Sequence, residues 1–531
     1  MKMVKADNDQ RLSYRQIASL IIVITMISKV LGFIREVLMT KYFGSSGETD
    51  AFFFALSMTN FFAVYLVSAI NTTFIPVLAD ADADDTVDMK RVSSNILNVV
   101  ALVSVVLMIV GIILIRPLTH VIAGGIAAQS QENFELTVTL SRIAMLNILF
   151  PGILGILTGY LRFNRSFLAP AMIGFPLNLI FYVYLIAFSQ RLGVVGLTWI
   201  SVLATASQVL ILLPSLKRRH FSMLPVLNFR EPYLAKMAKL SVPILFSTII
   251  AEAGTVIDKG IASWLPTGSI TYLQYGGMIS GLVISIFISS IATIDFPAMS
   301  KAYTSDNPEQ AHRIMIRTFR IIIILVIPVA IFLFFFSKEV LQILFQRGKF
   351  THEHTLVTAG VLSMYCIGLP ASAFRAILNN AFHASMDTKS PAILSLVSLV
   401  VYFGLALTLI GYLGASGIAL ASSLSVIVVT FMLAIKIQKR ERFRLINHKE
   451  FWLIGKIALS STICYIFMKF SLPYAKKFLT FRFGDTLGFI AISLVAGSIF
   501  ILSCYLLNIE EVKALLHLVR ARFSFEKDYR L

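Results

Sequence analysis

The sequence predicts an all-α polytopic membrane protein, with fourteen transmembrane helices arranged as two parallel six-helix lobes plus two C-terminal helices. Three observations lead there: the composition, the length of the apolar runs, and an internal repeat. Of the 531 residues, 57% are apolar and 14% charged, whereas a soluble chain carries roughly 25% charge. Mean hydropathy is +0.82. So little polar surface excludes a soluble enzyme, a disordered chain and a secreted disulfide scaffold. Apolar runs of about 20 residues suit helices that cross a bilayer. Their continuity, in place of strict alternation, excludes a transmembrane β-barrel.

In chain order, a polar segment at 1–16 precedes the first run. That run is far longer than a signal-peptide core, so no cleavable signal is expected. The spans are expected at 17–40, 51–79, 92–115, 135–161, 168–189 and 193–215, forming an N-lobe over 17–216. A linker at 217–237 leads to a C-lobe over 238–437, with spans at 238–264, 270–299, 316–337, 355–384, 391–411 and 413–436. Two more spans, 451–472 and 486–507, fill 451–507. A tail over 508–531 places Val512, Leu515, Leu516 and Val519 on one stripe, which reads as an amphipathic helix in the inner interface.

The net charge of +18 comes from 46 Lys+Arg against 28 Asp+Glu. The basic residues cluster in alternate loops: Lys90 and Arg91, Arg162 and Arg165, Lys217 to Arg219 with Arg230, Lys301 and Arg313, Lys389, and Lys436 to Arg444; the intervening loops are poor in positive charge apart from Lys338 to Lys349 and Lys476 to Arg482. With Lys2, Lys5, Arg11 and Arg15 they set both termini in the cytoplasm. This charge orients the chain in its membrane and calls for no nucleic acid. Cys366, Cys464 and Cys504 lie in apolar segments and read as packing residues.

The repeat rests on three landmarks. Pro76 and Pro297 are 221 positions apart (297 − 76), as are Pro170 and Pro391 (391 − 170) and Gly196 and Gly417 (417 − 196). The two prolines of the first pair are expected just after their spans. Six helices separate equivalent points. An even number restores the same orientation, so the lobes are parallel repeats about an axis along the membrane normal, a transporter architecture.

Ionisable residues inside such spans are expensive and functional by default. Lys29 lies deep in span 1 and needs a cavity or a partner. Glu36 follows seven residues later on nearly the same face, with Gly32 between them. Arg35 and Glu36 either join that face or snorkel to the outer interface. Span 7 carries Glu252 and then Asp258-Lys259; Glu252 and Asp258, with Glu36, read as cation-coupling groups, and Asp258-Lys259 reads alternatively as an interfacial ion pair. Asp50 reads first as the cap of span 2. Asn60, deeper in that span, bonds a neighbouring helix or faces the cavity. Arg375 on span 10 lines the inward mouth or snorkels. His352-Glu353-His354 lacks the spacing of a zinc helix, and no Walker sequence occurs, so ATP is not the direct energy source.

Ser28-Lys29-Val30-Leu31-Gly32-Phe33-Ile34-Arg35-Glu36 resembles the opening motif of bacterial lipid II flippases of the MurJ/MviN family, usually Ser-Arg-Val-Leu-Gly-Phe-x-Arg-Asp. The likeness continues through Phe43-Gly44, Thr49-Asp50-Ala51-Phe52-Phe53, Phe74-Ile75-Pro76-Val77, 258–263 with Leu265-Pro266, 345–350 with Gly348, Asp387-Thr388-Lys389-Ser390-Pro391 and Gly417-Ile418-Ala419-Leu420-Ala421. It covers spans 1 to 12. The resemblance implies a multidrug/oligosaccharidyl-lipid/polysaccharide-type fold. It also implies movement of an undecaprenyl-diphosphate-linked cell-wall precursor from the inner to the outer leaflet of the bacterial plasma membrane. Lys29 and Arg35 take headgroup-binding positions, Glu36 stands for an Asp, and Asp50 and Asn60 match directly. The last two helices would form a groove for the prenyl tail.

Departures from the family pattern are Ala63, Val64 and Ser68, in place of Arg, Arg and Glu, and Met278 in place of Arg. Lys29 in place of Arg also loses the bidentate fork suited to diphosphate. The expected cargo is therefore a lipid II-like molecule, with another polyprenyl-linked polysaccharide unit as the alternative. Rival readings are a cation-coupled multidrug antiporter and a non-transporting scaffold. No resident cofactor is expected, only a coupling cation (Na+ or H+) or the membrane potential. The chain is expected to act as a monomer among membrane lipids, alongside cell-wall synthesis enzymes.

Overall fold

The computed structural model describes residues 14–513 except 306, 442, 444, 446–447 and 479–483. The polar segment at the start and most of the expected amphipathic tail lie outside the described residues. Seventeen α-helices follow one another, with no strand among the described residues. They are α1 Tyr14–Phe43, α2 Gly47–Asp82, α3 Met89–Ile122, α4 Gly124–Gln129, α5 Gln131–Met145, α6 Leu149–Phe163, α7 Leu168–Met172, α8 Gly174–Ala187 and α9 Ser189–Arg218. After them come α10 Pro232–Ala262, α11 Ser269–Thr304, α12 Pro308–Leu344, α13 His352–Ala384, α14 Lys389–Leu413, α15 Ala415–Glu441, α16 His448–Phe478 and α17 Gly484–Leu506. Eleven stretches among the described residues are long and apolar enough to cross a membrane. The other three expected crossings fall on α1, α10 and α11, helices of 30, 31 and 36 residues.

Pro76 and Pro297 do not end their helices as expected: α2 runs on to Asp82 and α11 to Thr304. In α2 the reason is packing. Phe74, Val77, Leu78 and Ala81 around the proline are fully buried, so tertiary contacts carry the helix past the missing N–H.

The chain forms two compact units. One spans the chain to Gly268 and takes back Arg347–Phe350; the other holds the remainder from Ser269 onward. In the first unit α2, α3, α6 and α9 share a core that includes Ile70, Phe74, Ile96, Val100, Leu157, Tyr160 and Leu212. Lipid is as apolar as these side chains, so close packing holds such helices together. Gly152, Gly155 and Gly159 supply it: a Cβ at each would meet Val100, Ile70 and Phe74 at 2.8, 3.0 and 2.7 Å.

The division falls beyond the expected linker at 217–237, which is no free tether. Asn98 donates through Nδ2 to the carbonyls of Leu224 and Val226 at 2.7 and 2.9 Å, and Asn95 exchanges two bonds with the backbone of Asn228. These side chains of α3 staple the segment along their helix, and Lys236 pairs with Asp80 at 2.6 Å. So α10, expected to open the second lobe, lies on α2 in the first unit.

In the second unit α13 packs on α11, α12 and α15. The pair α16 and α17 joins α12 through Phe336, Met468, Leu472, Phe489 and Ala496. The three cysteines are free thiols. Cys464 donates to the carbonyl of Ala496 at 3.2 Å, a packing contact between α16 and α17.

The repeat is visible in backbone detail. The N–H groups of Asn164, Arg165 and Ser166 bond the carbonyls of Tyr160, Arg162 and Leu161 after α6. Those of Ser385, Met386 and Asp387 bond Ala381, His383 and Phe382 after α13, each pair 221 residues on (385 − 164). Arg165 and Met386 share φ of 57° and 61°, and Gly193 and Gly414 share 54° and 56°.

Candidate functional site

All the expected site residues except Arg375 belong to the first unit. On α1, Lys29 is exposed and makes no hydrogen bond or ion pair among the described residues. One turn on, a Cβ built on Gly32 meets nothing within 4 Å, so this stretch of α1 lies beside open space. Nearby, α1 is drawn close to α8: a Cβ on Gly174 would lie 2.0 Å from the Ser28 hydroxyl. The Tyr182 hydroxyl of α8 donates to the carbonyl of Leu31.

Arg35 pairs with Glu36 at 2.7 Å, and their side chains are only 23% and 17% exposed. The guanidinium lies 4.9 Å from the centre of the Phe181 ring. The guanidinium of this pair is thus turned onto Phe181 of α8. The neighbouring carboxylate and the ring face both stabilise the cation. Arg35 is thus committed to Glu36, whereas Lys29 has no such pair among the described residues.

Asp50 does not cap α2. Ser46, extended at φ −152° and ψ 173°, caps it with a reciprocal bond to Thr49. Asp50 sits one position deeper, 7% exposed, and its carboxylate accepts the N–H of Gly268 at 2.6 Å. The reason is local: the hydroxyl of Ser46 already reaches the free N–H of Thr49, which leaves the Asp50 carboxylate for the chain beyond α10. Ser45 donates to the carbonyl of Gly268 at 3.1 Å, and Gln129 donates to those of Ser263 and Leu265 at 3.1 and 2.9 Å. The turn after α10 is thus bound into the first unit from two sides.

Beside it lies Lys259, which sequence reasoning passed over as half of an interfacial pair. Its side chain is 6% exposed, with the ammonium 6.0 Å from the centre of the Phe53 ring. Asp258 and Asp50 are the carboxylates whose charge acts on it. A buried ammonium persists only when paired. The signal was present: Asp258-Lys259 lies in the stretch that resembles the family, and Asp258 and then Asp50 supply the opposite charge that acts on the ammonium.

The remaining residues stand apart. Asn60 is exposed on α2. Glu252 is partly buried and accepts from Thr255 at 3.4 Å. Arg375, in the second unit, donates to the Ser395 hydroxyl at 3.0 Å and so bonds within its own unit. Of the departures, Ala63 is 5% exposed, and Val64, Ser68 and Met278 are partly buried. His354, in the motif that failed as a zinc helix, completes the cap of α13 with Thr351.

Known proteins share this fold. A probable lipid II flippase MurJ from Buchnera aphidicola subsp. Schizaphis graminum (strain Sg) is 27% identical over 495 residues, 92% of this chain and 95% of that protein. A solved lipid II flippase MurJ in an inward closed conformation has a TM-score of 0.73 at 23% identity, over 91% of this chain and 98% of that one. An inward-facing multidrug resistance MATE family transporter of the MOP superfamily has 0.66 at 16% identity, over 80% of this chain and 98% of that one. The two structural likenesses establish the fold. A family model described as lipid II flippase MurJ matches residues 39–504, and the chain therefore belongs to that family.

Proposed function

We propose that this chain is a flippase that moves lipid II, an undecaprenyl-diphosphate-linked cell-wall precursor, from the inner to the outer leaflet of the bacterial plasma membrane. The observation that carries this reading is the family match over residues 39–504. Lys29 supports it as an uncommitted cation beside open space at Gly32. Lys29 takes the diphosphate first, and Arg35 follows by exchanging Glu36 for phosphate oxygens, both charge-assisted bonds. Asn60 and Arg375 contribute polar contacts, while α16 and α17 guide the prenyl tail. Alternating access is driven by the membrane potential or by Na+ or H+ at Glu252, Asp258 or Glu36. The flippase works as a monomer with both termini in the cytoplasm, beside the enzymes that make and use the precursor.

The test is depletion in the native host, followed by identification of the lipid-linked intermediate held on the cytoplasmic leaflet. Lipid II is expected. Accumulation of a different polyprenyl-linked glycan would transfer the assignment to that cargo, which the substitutions at Ala63, Val64 and Met278 favour. Lys29→Ala and Arg35→Ala are expected to abolish complementation at normal expression, and full growth of both would remove them from the site.

A further inference from the structure

A second charged site lies in the second unit and shares no side chain with Lys29, Arg35 or the other residues assigned to the cargo. Arg313, Arg317 and Arg320 follow one another at spacings of four and three along the first turns of α12, which puts them on one face. They line a cleft of about 540 Å³ with Lys449 at the start of α16. Arg320 is already neutralised: it bonds Glu450, 3% exposed, at 2.6 Å and Glu511 at 3.2 Å. This network forms the cleft wall and ties α12 to α16 and to the chain after α17. Arg313, Arg317 and Lys449 are exposed, and none has an ion-pair partner among the described residues. Three cations without an ion-pair partner among the described residues thus face one hollow, over a base of one guanidinium and two carboxylates whose net charge is −1 (1 − 2), which leaves the lining at +2 (3 − 1).

Two further groups line it. The Nδ1 of His312 is buried without a hydrogen-bond partner among the described residues. His448 accepts from the indole N–H of Trp452 at 3.0 Å. Phe451 and Trp452 are 68% and 60% exposed on α16 beside the cleft. Exposed aromatic residues at the start of an apolar helix mark headgroup depth. The cleft also lies where the basic loops place the cytoplasmic face.

We propose that this cleft binds a phosphate-bearing anion, with Arg313, Arg317 and Lys449 as its ligands, and that an anionic phospholipid headgroup supplies it. The site is distinct from Lys29 and Arg35 and needs no transported cargo. The experiment uses the full chain in detergent without lipid II, so its outcome is independent of the flippase reading. Binding of phosphatidylglycerol, phosphatidylcholine and inorganic phosphate is titrated by native mass spectrometry and ligand-induced thermal shift.

Phosphatidylglycerol is expected to bind in preference to phosphatidylcholine. The R313Q/R317Q/K449Q variant is expected to weaken it about a hundredfold, from about fivefold for each charge at the surface. R313K/R317K/K449R keeps the charge and is expected to recover most of the affinity, which separates lost charge from lost fold. Inorganic phosphate that binds alone with the same dependence on the three cations would support the site and move its source to the free anion. Equal binding of phosphatidylglycerol by the natural and glutamine chains, or no recovery in the charge-conserving variant, overturns the proposal.

Discussion

At the scale of single residues, burial decides which charges are structural and which are available. Lys259 and Asp50 are 6% and 7% exposed, so each needs an opposite charge or a strong bond, and removing one partner strands the other. Breaking a buried pair costs about 3 kcal/mol or more, while removing both partners costs less than the sum. Lys259→Met and Asp50→Asn are each expected to lower the thermal unfolding midpoint in detergent clearly. The double variant should fall short of additivity, and strictly additive losses would show that the two do not interact. Lys29 is the opposite case, an exposed cation whose loss should leave stability almost unchanged. The types of these residues were legible in the sequence, and their partners were not. Asp50 read as a cap because it follows Gly47-Glu48-Thr49, but the reciprocal bonds of Ser46 and Thr49 had already taken that role.

At the scale of elements, two glycines show how short segments are locked. Gly348 has φ of +60°, and a Cβ there would lie 2.2 Å from the carbonyl of Lys41. Gly44 faces it with φ of +67°, and a Cβ there would lie 2.6 Å from the carbonyl of Lys349. Between them the Lys349 N–H donates to Lys41 at 2.9 Å. The left-handed conformation alone costs an alanine about 1–2 kcal/mol, and the clash adds to it. Gly348→Ala should therefore lower stability by more than that. Gly32→Ala, placed in open space, should stay within about 0.5 kcal/mol of the natural chain. A stable Gly32→Ala variant that fails to transport would assign that open side of α1 to the cargo.

The turn between α13 and α14 carries a pH-sensitive contact. Burial alone would raise the pKa of Asp387. The Ser390 hydroxyl and N–H, at 2.6 and 2.9 Å, together with Arg440, outweigh it and hold the carboxyl below its ordinary 3.8. A depressed acid stabilises the fold above its ordinary value and loses that contribution as pH falls through the lower folded value. The stability gap between the natural chain and Asp387→Asn should thus be full at neutral pH and close below pH of about 4. A gap that persists unchanged in acid would remove the charge from the explanation. The repeat around this turn was legible from Pro170 and Pro391, because proline and glycine positions fix backbone geometry locally. Its hydrogen bonds recur at the same offset of 221 (385 − 164).

At the scale of the whole molecule, orientation follows from loop charge. Reporter fusions after residues 231 and 441 should be cytoplasmic, and fusions after 130 and 266 should face outward, because basic loops resist translocation and these two carry little charge. The reverse pattern would overturn the assignment of both termini to the cytoplasm. The sequence by itself determined the membrane class, the helical fold, the repeat and the family, since hydropathy and turn chemistry are written along the chain. The tertiary structure alone decided that α10 lies with the first unit, stapled there through Asn95, Asn98 and Asp50. It alone decided that Lys259 is buried beside Asp50, and that three cations of α12 and α16 share a cleft. The reason is physical: whether a helix forms depends on neighbours within a few positions, whereas a polar side chain's partner depends on which distant backbone the packing brings within hydrogen-bond reach.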